Sequence, residues 1–184
     1  MTNSVNKLVF VGNMGAGKTT AIHSISDLAP VSTEMPISHE LDSENSDKTS
    51  TTVALDYSSI ETDDGQLLHI YGVPGQKYLD FMWPIVCDGA LGIIILANAS
   101  RDTIYNETLD LLREFSALAP KASIAVGITM TDLNKAFTVS QFREALATEG
   151  FNIPIMAIDA RSSMQVTFLL KSLLSYRLVS HLAS

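Results

Sequence analysis

The sequence predicts an α/β domain with a mostly parallel six-stranded sheet, one antiparallel strand and helices on both faces. Short apolar runs alternate with helical segments through the second half of the chain. One of them, Leu91–Ala97, is apolar throughout, which is typical of a strand covered on both faces. Earlier, Asp63-Asp64-Gly65 separates two β-prone runs and has the composition of a hairpin turn. This hairpin accounts for the antiparallel strand.

The remaining elements follow from hydrophobic spacing and from helix-start signals. Strands are predicted at residues 7–11, 52–60, 66–71, 91–97, 124–128 and 153–158. A first helix follows residue 17, and a second has one apolar side formed by Ile104, Leu111, Leu112, Phe115 and Leu118. Two capping-box patterns, Thr138–Gln141 and Ser162–Gln165, predict where the last two helices begin.

A glycine-rich loop lies between the first strand and the first helix. Its sequence, Gly12-Asn13-Met14-Gly15-Ala16-Gly17-Lys18-Thr19, matches the phosphate-binding spacing Gly-x4-Gly-Lys-Ser/Thr. The glycines allow backbone N–H groups to converge on an anion, and the helix start adds a positive dipole end. Lys18 is expected to bind the terminal phosphates and Thr19 to ligate Mg²⁺. Thr20 follows directly and completes the predicted phosphate site.

Composition limits the classes of function. The 184 residues are 46% hydrophobic and 17% charged, which predicts one globular domain spanning residues 1–184. A net charge of −8 argues against nucleic acid and against anionic membrane surfaces as partners. A single cysteine, Cys87, favours the cytoplasm, and we expect no signal peptide, lipid anchor or transmembrane segment.

Residues 30–51 are polar and rich in Ser, Thr, Asp and Glu. The segment is predicted to be a flexible loop, because it has few apolar residues to bury. So long a loop within a compact domain is usually functional, although a tolerated surface insertion is the alternative.

The motifs occur in the order found in the small Ras-like GTPase superfamily, and they extend over nearly the whole chain. Tyr71-Gly72-Val73-Pro74-Gly75-Gln76 and Thr51–Asp56 resemble a bacterial branch that includes the gliding-motility polarity GTPase (MglA-like) and roadblock-associated GTPases. The resemblance implies a P-loop NTPase G domain that binds GTP or GDP with Mg²⁺ and hydrolyses GTP. It also implies a role in bacterial signal transduction, with cell polarity as the expected process.

On the phosphate side, the resemblance makes residues 33–52 the first switch and residues 73–86 the second. Thr52, or Thr51 in its place, would contact Mg²⁺ and the γ-phosphate. Gly75 would donate its backbone N–H to the γ-phosphate, and Gln76 would orient the attacking water. Gly72 occupies the position of the usual Mg²⁺-associated aspartate, so the chain departs from the family pattern there.

At the base end, Thr129-Met130-Thr131-Asp132 occupies the position of the family's Asn-Lys-x-Asp motif. Asp132 is in register and would accept hydrogens from guanine N1 and N2, which adenine does not offer. In a second loop, Ala160 would offer a backbone N–H to the guanine oxygen. Arg161 stands there in place of the usual lysine.

A protein effector or activating partner, with a roadblock-type homodimer as the candidate, is expected to contact residues 33–52 and 76–84. Within the second range, one interpretation is that Leu79, Met82 and Trp83 pack beneath the helix. The alternative is that Tyr78, Phe81 and Trp83 become partner anchors once the γ-phosphate orders the loop. The first arginine in the chain is Arg101, so neither switch supplies one, and intrinsic hydrolysis is expected to be slow. Two alternatives remain open: a P-loop nucleotide or small-molecule kinase, and a scaffold that binds nucleotide tightly or not at all and has no turnover.

Overall fold

The computed structural model describes the backbone of residues 6–26, 31–38, 50–62 and 65–182. Among these residues, side chains are described except at 31–38, 50–54, 78 and 181. The strands are β1 (Asn6–Gly12), β2 (Val31–Ser38), β3 (Ser50–Glu61), β4 (Leu67–Pro74), β5 (Gly92–Asn98), β6 (Ser123–Thr129) and β7 (Ile155–Ala157). The helices are α1 (Lys18–Ile25), α2 (Trp83–Cys87), α3 (Ile104–Leu118), α4 (Val139–Thr148) and α5 (Ser163–Leu182).

The strands form one sheet in the order β2-β3-β4-β1-β5-β6-β7. Strand β3 is antiparallel to both of its neighbours, and the pairs from β4 to β7 are all parallel. The predicted architecture, with one antiparallel strand and all six expected strands, is therefore confirmed.

The sheet contains one strand more than expected. Residues 31–38, predicted as part of a flexible loop, form β2 at the edge of the sheet, and residues 50–51 belong to β3. Val31, Thr33, Met35 and Ile37 alternate with smaller or more polar residues, but Pro36 masks this strand pattern. An edge strand tolerates a proline, because one side of its backbone needs no partner. Residues 39–49 of the predicted loop lie outside the described residues.

Helices cover both faces of the sheet, because side chains alternate along each strand. On one face, Val9, Val11 and Ile95 pack with residues of α2, α3 and α4, including Trp83, Phe115 and Leu146. On the other, Leu8, Phe10 and Ile94 pack with residues of α1 and α5, including Ile22, Val166 and Leu169. No helix within the described part of the chain is long and apolar enough to cross a membrane.

The carboxyl ends of the parallel strands meet at one edge of the sheet. There the N–H of Gly75, just after β4, donates to the carbonyl oxygen of Gly12 at 3.0 Å. The N–H of Ala99, just after β5, donates to the carbonyl oxygen of Thr129 at the end of β6, at 2.9 Å. Ligands of open α/β sheets bind outside this edge.

Candidate functional site

The glycine-rich loop forms a tight turn between β1 and α1. Gly15 and Gly17 have φ of 79° and 91°, in the left-handed region that favours glycine. A Cβ at Gly12 would lie 2.5 Å from the carbonyl oxygen of Leu96, so β5 leaves room only for glycine there. Helix α1 begins at Lys18 with its N-terminal N–H groups towards the loop. The loop therefore has the backbone geometry and the positive helix end that an anion requires.

Lys18 is held against this loop. Its Nζ donates to the carbonyl oxygens of Gly12 at 2.6 Å and Asn13 at 3.2 Å. Burial lowers the pKa of Lys18, while the negative charge of Asp56 acts in the opposite direction. The ammonium group is already at the phosphate loop, and the loop carbonyls bind it in this conformation.

Thr19 contacts an aspartate that the sequence did not single out. Its Oγ1 donates to Oδ2 of Asp56, in β3, at 2.6 Å. Asp56 pairs with Gly72 across the β3–β4 ladder. Hydroxyl and carboxylate oxygens are the ligands that Mg²⁺ prefers, so these residues fit that cation. The backbone of Thr51 and Thr52 lies in the same strand, and their side chains are outside the described set.

Gln76, in the segment after β4, is partly buried between the phosphate loop and α3. Gln76 lines a cavity of about 320 Å³ together with Asn13, Glu107 and Asp110. Its Oε1 is buried and has no hydrogen-bond partner among the described residues. The neighbouring Gly75 N–H is bonded to Gly12, so it would have to leave that carbonyl to reach a phosphate.

The apolar residues after Gln76 pack beneath the segment. Leu79, Met82 and Trp83 are buried, as the packing interpretation predicts. Trp83 donates from Nε1 to the carbonyl oxygen of Pro74 at 3.0 Å, and its ring lies 4.8 Å from that of Phe115. In this conformation Trp83 anchors the second-switch segment to the core instead of facing a partner.

A second cavity, of about 590 Å³, lies beside the phosphate loop. Cavities of this size are typical of small-molecule sites. The predicted base-binding residues Asp132, Ala160 and Arg161 line it together with Gly17 and Thr20 from the other end of the site. Residues that are more than a hundred positions apart in the sequence therefore meet in one cavity.

Arg161 lies beside this cavity and forms an exposed ion pair. Its Nε and Nη2 each lie 2.9 Å from the carboxylate of Asp159. The hydrogen bond to Asp159 raises the pKa of Arg161, and Asp132 contributes a weaker electrostatic effect of the same sign. Hydrogen bonds from Arg161 in turn lower the pKa of Asp159. Arg161 therefore stays cationic next to the exposed Asp132 carboxylate.

Two positioning residues join the loops of this cavity, and sequence reasoning missed the role of both. Thr129 is buried and donates from Oγ1 to the carbonyl oxygen of Ala16 at 3.0 Å, so it links β6 to the phosphate loop. Gln165 was predicted to close a capping box, but its Oε1 instead accepts the N–H of Asp159 at 2.7 Å. Met130, which follows Thr129, has a φ of 56°. Backbone strain of this kind is common at binding sites.

Comparisons with known proteins match this geometry at the level of the fold. No protein-family model matches the sequence, and no curated protein is detectably similar to it. The structure is similar to the G domain of the T. maritima FeoB iron transporter, with a TM-score of 0.65 and 15% identity. The similarity covers 94% of this chain and 98% of that one. This chain has a G-domain fold.

In this fold, the predicted site residues form two clusters at one edge of the sheet. The cluster of predicted phosphate-binding residues contains Lys18 and Thr19, with Gly75 held against Gly12. The cluster of predicted base-binding residues contains Asp132, Ala160 and Arg161. Gln76 lines the cavity against α3, and Asn13 of the phosphate loop and Gly75 line the same cavity.

Proposed function

We propose that the chain is a GTP-binding molecular switch that hydrolyses GTP slowly to GDP and phosphate. The observation that carries the proposal is the cavity of about 590 Å³, which joins the phosphate loop to the base-reading residues. Gly17 and Thr20 lie at its phosphate side, and Asp132 and Ala160 lie at its base side. A nucleotide matches both ends of this cavity, because its phosphates are anionic and its base is flat and polar.

Guanine is the base that this cavity favours. The Asp132 carboxylate is an acceptor only, and guanine offers two adjacent hydrogens on N1 and N2, whereas adenine has no donor at N1. The backbone N–H of Ala160 complements the guanine oxygen. Thr129 and Gln165 hold the two loops that carry these groups.

At the phosphate end, Lys18 would exchange its two carbonyl acceptors for phosphate oxygens. Thr19 and Thr52 would supply oxygen ligands to Mg²⁺. When bound, Mg²⁺ bridges phosphate oxygens and neutralises charge that develops during phosphoryl transfer. Gly75 would release the Gly12 carbonyl and donate to the γ-phosphate.

Slow intrinsic hydrolysis follows from Gln76 and from the arginines. Gln76 must leave its cavity before it can orient a water molecule. Each of the five arginines already has a partner: Arg101 binds Glu107, Arg113 binds Glu149, Arg143 binds the Ile155 carbonyl, Arg161 binds Asp159, and Arg177 binds the Leu91 and Lys121 carbonyls. Without an arginine at the γ-phosphate, a G domain loses on the order of 10³–10⁵ in rate.

A partner protein would therefore set the lifetime of the GTP state. We propose that it contacts residues 33–52 and 76–84, whose conformation would depend on the γ-phosphate. A roadblock-type homodimer is our candidate, and bacterial cell polarity in the cytoplasm is the candidate process. Both come from the resemblance of residues 51–56 and 71–76 to that bacterial branch.

The test of the function is a comparison of nucleotide binding. The purified chain is titrated with GTP, GDP and ATP by calorimetry, with Mg²⁺ and then with EDTA. We expect guanine nucleotides to bind at least about 100-fold more tightly than ATP, because a site built on buried or oriented polar groups rejects ligands that leave them unpaired. Preference for ATP would favour the kinase alternative. Absence of binding would favour the scaffold, and so would binding of GTP without phosphate release in a parallel turnover assay.

Replacement of Gln76 tests the hydrolytic step. Gln76→Leu is expected to lower the rate of GTP hydrolysis about tenfold or more, because the water would lose its orienting group. The same change should raise the free energy of unfolding by about 1 kcal/mol, because leucine removes a buried oxygen that has no partner. Single-turnover phosphate release and thermal unfolding without nucleotide measure the two effects.

The matched control is Gln141→Leu, at an exposed glutamine on α4. It should leave both quantities unchanged. An unchanged hydrolysis rate in Gln76→Leu would remove Gln76 from the mechanism, and a loss of stability would show that its side chain is satisfied in solution.

A further inference from the structure

Helix α5 is apolar on two opposite sides. Its inward side is buried against the sheet through Val166, Leu169, Leu170 and Leu173. Its outward side also carries large apolar side chains, which are exposed: Met164, Phe168, Leu178, Val179 and Leu182. A helix that is apolar all round is normally buried on every side. We therefore expect the outward side of α5 to be covered by another molecule.

Six exposed residues of α5 follow one line along the helix. Their spacing alternates between four and three residues, which keeps side chains on one side of a helix. From the start of α5 to its end they are Met164, Phe168, Lys171, Ser175, Leu178 and Leu182. We call these six residues the outer stripe. Two helices that pack side by side use this spacing, so the outer stripe fits a second helix.

The outer stripe has the same order of apolar and polar residues from either end. Two apolar residues come first, Lys171 and Ser175 lie in the middle, and two apolar residues come last. A two-fold interface must be self-complementary in this way, because each residue meets the one at the mirrored position of the second copy.

An antiparallel pair of α5 helices satisfies this requirement. With the two-fold axis at the level of residue 173, Met164 would face Leu182 of the second copy, and Phe168 would face Leu178. Lys171 would face the hydroxyl of Ser175, which accepts hydrogen bonds from an ammonium group. A parallel pair would instead place the two copies of Lys171 side by side, and like charges in contact repel. The antiparallel arrangement is therefore favoured.

The charge distribution also favours a second copy of this chain. The chain has 20 acidic residues and a net charge of −8, so two copies repel each other. Helix α5 contains no Asp or Glu in its 20 residues. Copies that meet through α5 therefore bring no carboxylates of that helix together.

The exposed apolar area is sufficient for a weak dimer. The exposed fractions run from 60% at Phe168 to 89% at Leu182. Since a large side chain such as Phe has about 150–250 Å² to bury, the five apolar residues offer on the order of 600 Å² per copy. Patches of this size commonly mark interaction sites. The area lies at the lower limit for specific complexes, which predicts a reversible dimer.

We propose that the outer stripe of α5 is the interface of an antiparallel homodimer of this chain. None of its six residues belongs to the predicted nucleotide site, so the inference does not depend on the proposed function. Helix α5 also packs on the face of the sheet opposite α2 and α3. Each copy would therefore keep residues 76–84 free for a different protein.

Sedimentation equilibrium of the purified chain tests the dimer. We expect a dissociation constant of about 1–100 µM, as for other interfaces of small area. Raising the salt concentration from about 0.15 M to about 1 M should tighten the dimer, because it screens the repulsion between two anionic copies. A dimer that dissociates as salt rises is held by charge and would count against the outer stripe.

Two single variants place a charge in the apolar part of the interface. Phe168→Glu and Leu178→Lys should each raise the dissociation constant at least about 30-fold, as the loss of a central anchor does. Both residues are exposed, so the unfolding temperatures should stay near that of the wild type. The matched control is Ile85→Glu on α2, at an apolar residue that is 63% exposed, and it should dimerise like the wild type.

An equimolar mixture of the two single variants tests the antiparallel arrangement. In the mixed dimer the new carboxylate of one copy would face the new ammonium group of the other. The unchanged Leu178 and Phe168 would face each other at the second contact. We expect the mixture to dimerise within about tenfold of the wild type, because opposite charges at an interface attract. A parallel pair would show no recovery, because it does not bring positions 168 and 178 together.

The remaining outcomes would overturn the proposal. Wild-type protein that is monomeric at about 300 µM, above the expected range, has no such dimer. Dimerisation of Phe168→Glu at the wild-type concentration would place the interface elsewhere. Monomeric protein that binds vesicles of anionic lipid, and loses this binding in Phe168→Glu, would assign the outer stripe to a membrane. Absence of recovery in the mixture would exclude the antiparallel pairing.

Discussion

Lys18→Met is expected to lower GDP and GTP affinity by on the order of 10²–10³-fold. The Lys18 ammonium donates two hydrogen bonds to the phosphate loop, to the carbonyl oxygens of Gly12 and Asn13. In the bound state these donors would pair with phosphate oxygens, and hydrogen bonds to charged groups contribute about 1.5–3 kcal/mol each. Methionine keeps most of the length of the side chain and removes every donor. Calorimetric titration with GDP measures the change.

Two further variants separate the effect of the Lys18 side chain from the general effect of removing a positive charge. Lys171→Met removes a lysine from the exposed side of α5, and its GDP affinity should equal that of the wild type. Lys18→Arg keeps the charge but has a larger planar head, so it should bind less tightly than wild type and more tightly than Lys18→Met. Equal affinities for wild type and Lys18→Met would show that the glycine loop binds phosphate through its backbone alone.

Local patterns predicted most of the fold. The phosphate loop was predictable because its spacing, its glycines and its position between a strand and a helix lie within a short stretch of chain. Strands β5 and β6 are apolar along most of their length, as expected of central strands. Strand β2 escaped prediction because Pro36 interrupts its alternation, and a proline excludes a central strand but not an edge strand.

Helix starts were predicted more accurately than the bonds that stabilise them. Helix α4 begins directly after Thr138, but the Thr138 side chain makes no capping hydrogen bond. Helix α5 begins after Ser162, whose Oγ accepts the N–H of Gln165 at 3.4 Å. The Gln165 side chain does not complete the capping box, because its Oε1 accepts the N–H of Asp159 at 2.7 Å in the loop of the candidate base site. A tertiary contact therefore determines the partner of the Gln165 side chain.

The candidate site was predictable as a set of motifs but not as a network. Asp56 has no local signature, and its importance appears only when the β3–β4 register places it opposite Gly72 and next to Thr19. The same holds for Thr129, whose bond to Ala16 spans 113 positions. Such contacts depend on register and topology, and a linear pattern contains neither. The burial of the Gln76 side chain likewise depends on the packing of its segment against α3.

Asp132→Asn tests whether Asp132 recognises the base. We expect this change to lower GTP affinity on the order of 10²–10⁴-fold, because two hydrogen bonds to a charged acceptor are lost. An asparagine amide offers one acceptor and one donor. Guanine presents two donors to it, so one donor of the base would face the amide hydrogens of the new side chain.

The same substitution should remove the preference for guanine and create a preference for xanthine. Xanthine has N1–H next to a carbonyl at C2, so it pairs with both the oxygen and the nitrogen of asparagine. We therefore expect Asp132→Asn to bind xanthosine triphosphate more tightly than GTP, whereas the wild type has the opposite order. Competition against a fluorescent GDP analogue measures both orders in one experiment, and Asp88→Asn, at an exposed residue outside the cavity, is the matched control.

A reversed order requires a cavity that stays intact. Asp132 is exposed and Arg161 already has Asp159 as its partner, so neutralising residue 132 leaves no buried cation unpaired. The unfolding temperature of Asp132→Asn should therefore remain close to that of the wild type. Loss of GTP binding without a gain for the xanthine nucleotide, at unchanged stability, would show that Asp132 organises its loop and does not contact the base. Unchanged GTP affinity would remove Asp132 from the site and leave the identity of the base to Ala160 and Arg161.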